Sequence, residues 1–213
     1  MSTKHQVHNL IILDESGSMR SIKPAIIEGF NEIVETVKGI EKQFPEQEHF
    51  ISLVTFNGLG QKTLLWKEHV GKIDLIDGNT YRPQASTPLY DAIGFSCTKL
   101  SKELETVTAC NVLVTILTDG EENASKEYSG KATKELIEEL KLNRWAFTYI
   151  GTDHDVEKTA QSLSITNTIT FQKNKAGTKI MFAKERVGRH IHSQRIRDNV
   201  DTDKNLYKDL DKT

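Results

Sequence analysis

Long apolar runs are missing from this sequence. After the polar stretch Met1 to His8, the first apolar run is only Leu10 to Leu13. A secretory leader needs a longer apolar segment behind basic residues, and a membrane-spanning helix needs about 20 apolar residues. Neither secretion nor membrane insertion is expected. Cysteine is scarce too: Cys97 and Cys110 are the only two, too few for a disulfide framework. One falls on a helical apolar stripe and the other at a strand entrance. Both read as small buried or half-buried hydrophobes in a reducing, cytoplasmic setting. Neither sign of charge is in excess, since Lys and Arg number 28 and Asp and Glu 30, a net charge of −2. Nothing global draws such a chain to DNA, RNA or an anionic membrane, and no nucleic-acid partner is expected. At 37% hydrophobic and 27% charged, the composition is that of a folded globular domain rather than a disordered chain.

What is present is an alternation of short β-rich runs with longer helical ones. Val7 to Leu13 reads as a strand whose end is apolar on both faces, as in the middle of a parallel sheet. Ile22, Ile26, Phe30, Ile33, Val37 and Ile40 recur at steps of three and four, which predicts a helix with one buried stripe and Pro24 in its first turn. Phe50 to Phe56 and Thr63 to Trp66 read as two strands joined too closely for a helical crossover, hence a hairpin. Residues 71–86 read as a loop, and a helix follows from Pro88 with Leu89, Ile93, Cys97, Leu100 and Leu104 on one face. Val112 to Leu117, the most apolar strand, should be central. The spacing then predicts a helix over Glu127 to Leu142, a strand over Trp145 to Ile150 and a short helix over Asp155 to Leu163. A weak strand at Thr168 to Phe171 and a helix at Ala176 to Val187 complete the pattern. Strands alternating with helices imply an α/β fold with a mostly parallel sheet covered on both faces, and one short antiparallel strand. The apolar pattern ends near Val187, giving a domain over residues 1–187. Residues 188–213, with the basic cluster Arg189, His190, His192, Arg195 and Arg197, read as a charged tail or a loosely docked helix.

Ligands of a parallel α/β sheet collect at the carboxyl ends of its strands. Three polar motifs fall there: Asp14-Glu15-Ser16-Gly17-Ser18 after the first strand, Ser86-Thr87-Pro88 at a helix start, and Thr118-Asp119-Gly120 after the central strand. Magnesium is a hard cation that wants six oxygens and keeps several waters. Two carboxylates and three hydroxyls suit it, and no Cys or nearby His favours zinc. With only two formal charges facing it, such an ion stays electrophilic and can capture a carboxylate. Taken singly, each residue also has a purely structural reading. Asp14 and Ser16 suit a strand end and a helix cap, and Thr87 suits the cap before a proline at the first helical position. Ser86 is a rival ligand.

Asp14, Ser16, Ser18, Thr87 and Asp119, with the Thr87 to Ile93 run and Leu117 to Gly120, resemble the von Willebrand factor A (VWA) domain family and its metal-ion-dependent adhesion site. The resemblance covers about residues 5–187 in element order. It implies a Rossmann-like fold, a Mg²⁺ cofactor for which Mn²⁺ substitutes, serines bound directly to the metal, and aspartates acting mostly through water. The chain lacks the leader and disulfides of cell-surface members and is more similar to intracellular prokaryotic ones. The function implied is a Mg²⁺-dependent protein-interaction module whose partner presents a Glu or Asp, rather than an enzyme. Glu15, Glu121, Glu122, Asp153 and His154 are expected at the same rim as partner-binding groups, although Asp155 reads as the cap of the following helix. A Mg²⁺-dependent phosphohydrolase is the rival, since strand-end aspartates also serve that chemistry. Against it, Ser16 stands where a second carboxylate would help, and no phosphate-cradling loop is evident. A purely structural metal is the third reading.

Overall fold

The computed structural model describes residues 4–152, 154–203 and 206–208. The strands are β1 (His5–Asp14), β2 (Gln47–Asn57), β3 (Gly60–His69), β4 (Cys110–Leu117), β5 (Trp145–Gly151) and β6 (Asn167–Thr170). The helices are α1 (Lys23–Gln43), α2 (Leu89–Leu104), α3 (Gly130–Lys141), α4 (Val156–Ser162) and α5 (Lys175–Arg197), with 3-10 turns at Gly17–Ile22 and Val70–Lys72. The six strands form one sheet in the order β3-β2-β1-β4-β5-β6. All neighbours are parallel except β2 and β3, which form the expected hairpin. The antiparallel strand is longer than the sequence pattern suggests, at 10 residues, because its partly exposed, polar half pairs through backbone groups that hydropathy does not report.

Strand alternation divides the interior into two layers. Ile11, Leu13, Leu113 and Leu117 face α1 and α5, whereas Leu10, Ile12, Val114 and Ile116 face α2 and the residues of α3 and α4. This is why the central strands are apolar on consecutive positions. The chain leaves β1 toward β2 and β3 on one side, then returns to β4 on the other. The switch point therefore lies between the carboxyl ends of β1 and β4, where an open α/β sheet leaves a crevice.

The boundary expected after Val187 falls inside α5, which continues to Arg197. Its buried face is Thr178, Met181, Phe182, Glu185, Gly188, Arg189, His192 and Ser193. The stripe keeps its helical period but turns from apolar to polar partway, while Val187 itself points outward, 43% exposed. The buried Arg189 pairs with Glu185 at 2.6 Å and donates to Asn9 Oδ1 at 2.7 Å and Thr115 Oγ1 at 2.9 Å. Asn9 and Thr115 lie on the same sheet face as Ile11 and Leu113, so the network is roofed by α5. Beyond the helix, Leu206 and Tyr207 are buried; the Tyr207 ring lies against Gly188 and its hydroxyl is 3.2 Å from Thr148 Oγ1. The basic stretch is thus half interior rather than wholly solvated. Among the described residues, no helix is long and apolar enough to cross a membrane.

Candidate metal centre

Asp14 is the last residue of β1 and is fully buried. Its Oδ1 accepts from the Ser16 amide at 2.7 Å and its Oδ2 from the Thr118 hydroxyl at 2.7 Å, while its carbonyl accepts from the Tyr81 hydroxyl at 2.6 Å. Burial pushes the Asp14 carboxyl up to about 6; the bonds from Thr118 and Ser16 partly offset this, and Asp119 adds to the rise. Ser16 precedes the 3-10 turn with an extended backbone, yet its side chain caps nothing. Its hydroxyl instead lies 3.0 Å from that of Ser18, which donates to Asp119 Oδ1 at 2.6 Å. Ser16 and Asp119 are buried, whereas Ser18 is exposed, so the constellation opens to solvent on one side.

Thr87 reaches the rim from the loop before α2. Its amide donates to Asn123 Oδ1 at 3.0 Å and its carbonyl accepts from the Asn123 amide at 3.2 Å. Its hydroxyl lies 3.8 Å from where a Cβ on Gly120 would stand, beside Asp119. Ser86 turns its hydroxyl toward Gly58, at 2.1 Å from the position of a Cβ there. The loop is held by the Ala85 carbonyl accepting from the Gly17 amide at 3.0 Å and the Ser86 carbonyl accepting from the Gly58 amide at 2.8 Å.

The chemistry of this donor set fits a magnesium ion. Cis ligand oxygens of an octahedral Mg²⁺ are about 2.9 Å apart, from bonds of 2.0–2.1 Å, and the two serine oxygens stand 3.0 Å apart. Among the described residues no group of three His, Cys, Asp or Glu side chains could hold a metal; three of the five side chains in this set offer hydroxyls. Asp119 Oδ2 is buried without an aligned hydrogen-bond donor; its neighbour is the Lys173 ammonium at 2.8 Å, an ion pair.

The rim residues divide. Glu15 does not face the rim. It is 1% exposed and takes bonds from Thr55 Oγ1 at 2.9 Å, Lys62 Nζ at 3.1 Å and the Arg82 amide. The strand-end geometry turns its side chain toward β2 and β3, where it ties them to residues 82–84. Glu122 is half-buried and saturated: it accepts from the amides of Tyr90, Ala124 and Ser125 and from the Ser125 hydroxyl. It joins the loop after β4 to the start of α2 rather than waiting for a partner. Glu121 is exposed. His154 is half-buried, with Nε2 3.1 Å from the Tyr149 hydroxyl and Nδ1 2.6 Å from the Thr152 carbonyl. Asp153 lies outside the described residues. Asp155 caps α4, accepting from the Lys158 amide at 3.0 Å.

Sequence reasoning assigned no site role to Tyr81, Asn123 or Lys173, and it named Thr118 and Asp91 only as members of motifs. Asp91 accepts from the amides of Lys126, Glu127 and Tyr128 and anchors the same loop as Glu122. Thr118 was within reach, sitting between the last strand residue and Asp119. Asp91 and Asn123 lie four residues beyond Thr87 and Asp119, whereas Tyr81 and Lys173 come from segments with no local signal.

Compared with known proteins, the sequence matches no family model and no curated protein. The fold matches several solved structures. Proximal thread matrix protein 1 from the mussel byssus is 14% identical with a TM-score of 0.61, over 85% of this chain and 47% of that one. The pilus adhesin SpaC from Lactobacillus rhamnosus GG is 15% identical with a TM-score of 0.61, over 95% and 31%. The SpRpn10 VWA domain is 11% identical with a TM-score of 0.57, over 85% and 95%. The chain therefore spans about half or less of the first two and nearly all of the third. At these identities the likeness is one of fold: a six-stranded, mostly parallel sheet between helices, VWA-like and Rossmann-like.

Proposed function

We propose that this domain is a Mg²⁺-dependent protein-interaction module in which Asp14, Ser16, Ser18, Thr87 and Asp119 hold one divalent cation, with Mn²⁺ as a substitute. The observation that carries the reading is the chain of oxygens Ser16–Ser18–Asp119 at 3.0 and 2.6 Å, at the switch point of the sheet and open on one side. Ser16 and Ser18 offer direct oxygens, Thr87 a further one, and Asp14 is kept in place by Thr118 and the Ser16 amide. When bound, the cation would supply a Lewis-acidic position for a Glu or Asp side chain of a partner protein.

The neighbouring surface suits the residues that flank such a carboxylate. A shallow hollow beside Pro88 is lined in part by Leu59, Asp91, Phe95 and Lys126, with Leu59 and Phe95 exposed and the Asp91 carboxylate taken up by the amides of Lys126, Glu127 and Tyr128. Apolar contact there and the Lys126 ammonium would complement an acidic residue set among hydrophobic ones. We take the module to be non-enzymatic and to work in a reducing, cytoplasmic setting, in keeping with its two free thiols.

Scanning fluorimetry with and without MgCl₂ tests the centre, since a ligand bound only by the native state raises its melting temperature by mass action. The increment should vanish in Ser16→Ala while the fold survives. Affinity capture from lysate, with and without EDTA, tests the function. An equal Mg²⁺ increment in wild type and Ser16→Ala would overturn the site, and capture undiminished by EDTA would overturn the role of the metal.

A further inference from the structure

Lys173 is a cation placed against this centre by the geometry above, and neither the motif nor the proposed metal chemistry calls for it. It lies in the connection between β6 and α5, one residue before Asn174, whose side chain caps α5 by accepting from the Gly177 amide at 2.8 Å. A rigid helix start thus fixes the backbone from which Lys173 extends. Its Nζ is 2.8 Å from Asp119 Oδ2; the lysine side chain is 22% exposed and that of Asp119 wholly buried. The other oxygens of the two aspartates are already engaged: Asp14 by the Ser16 amide and Thr118, and Asp119 Oδ1 by Ser18. The remaining buried oxygen therefore faces a full positive charge.

We propose that Lys173 is a tethered counter-cation of the metal centre: its ammonium neutralises Asp119 when no divalent ion is bound and opposes the binding of that ion. This rests on the metal reading given above. A buried carboxylate without a cation is costly, and a site with two aspartates needs positive charge to remain folded when the metal leaves. Lys173 supplies one unit of it by covalent attachment, so metal-free protein stays assembled. The same charge then works against the incoming divalent cation, through repulsion if the lysine stays and through loss of its ion pair if it swings out. Either way, metal affinity is set below what the oxygen ligands alone would give. Lysine suits this role because its ammonium is compact and its stem is free to rotate away.

The full chain is titrated with MgCl₂ by calorimetry as wild type, Lys173→Met and Lys173→Arg, each with and without Ser16→Ala, and each is melted in EDTA. Lys173→Met should bind Mg²⁺ about tenfold more tightly, the scale of removing one nearby like charge at the edge of a protein, and should melt at a lower temperature in EDTA. Binding seen only in Lys173→Met is the same result at its limit. Lys173→Arg, which keeps the charge, should stay near wild type in both. If Lys173→Met fails to fold in EDTA, Lys173→Gln takes its place, retaining a donor for Asp119 without the charge. Ser16-dependent binding of equal or lower affinity in the neutral variants overturns the counter-cation and leaves the metal centre standing. An arginine variant that behaves like the methionine variant overturns it as well. No Ser16-dependent binding in any protein overturns the metal reading, and this inference with it.

Discussion

Replacing Arg189 by alanine should be among the most destabilising single changes in the molecule. The guanidinium is 1% exposed and holds Glu185 at 2.6 Å, Asn9 at 2.7 Å and Thr115 at 2.9 Å. Its loss leaves the Glu185 carboxylate, itself fully buried, with the Thr115 hydroxyl at 3.2 Å as its remaining partner among the described residues. Removing one partner of a buried ion pair costs about 3–5 kcal/mol, whereas a change on a solvated helix end stays within about 0.5 kcal/mol. With a urea m-value of about 2–3 kcal/mol/M, the loss moves the unfolding midpoint down by roughly 1–2.5 M. The double variant Arg189→Met with Glu185→Leu removes both charges and keeps apolar volume. It should lose less than Arg189→Ala alone, though not return to wild type, because Asn9 Oδ1 and Thr115 lose a partner at roughly 1–3 kcal/mol each. Urea unfolding of the wild type, the three single variants and the double variant closes the cycle. A midpoint for Arg189→Ala within error of wild type would refute the buried network and return residues 188–197 to a solvated tail. Additive single effects would refute the pairing.

Two glycines of α1 should respond oppositely to alanine: at Gly39 nothing lies within 4 Å of a new Cβ, whereas at Gly29 it would stand 2.0 Å from the Phe182 ring of α5. Gly39→Ala should raise stability by up to about 1 kcal/mol through helix propensity, and Gly29→Ala should lower it by about 1–3 kcal/mol through overpacking; thermal melts that move in the same direction would contradict the close α1–α5 approach. Burial lowers the imidazoles of His8 to about 4 and of His49 and His192 to about 3, so the unfolded chain takes up protons first as the pH falls below 6.5. Stability from these groups is full above pH 6.5 and lost on acidification toward their folded values, at up to about 1.4 kcal/mol per pH unit for each. Asp14, raised to about 6, acts oppositely, its contribution falling as pH rises from about 4 to 6, but three histidines outweigh one carboxyl. Urea midpoints should fall from pH 7 through 6 to 5, and a flat profile would show the histidines charged or exposed. Purified protein with Mg²⁺ should release no p-nitrophenol from p-nitrophenyl phosphate above background; turnover abolished by Asp14→Asn would instead establish the phosphohydrolase.

The sequence by itself determined the elements whose burial is apolar and local. Leu10 to Leu13 and Val112 to Leu117 mark the two central strands because both faces of a covered parallel sheet exclude polar residues. The steps from Ile26 to Ile40 mark α1, and the short link from Phe56 to Thr63 leaves no room for a crossover. The motifs at Asp14, Ser16, Ser18 and Asp119 were legible because two strand ends place them at one rim whatever the details of packing, and Thr87 because its motif opens a helix. Tertiary structure alone decided what distant polar groups do. Glu15 turns inward because Thr55, Lys62 and the Arg82 amide converge on it, and Glu122 is spent on the start of α2. Lys173 meets Asp119 only because α5 is seated beside the carboxyl end of β4. The last turns of α5 bury Arg189 where an apolar pattern stops, since Asn9 and Thr115 present polar groups on the opposing sheet face. Hydropathy follows the transfer of apolar surface from water, a property of each residue and its near neighbours. The burial of a charge depends on which partners the fold brings within about 3 Å, and those lie far away in the chain.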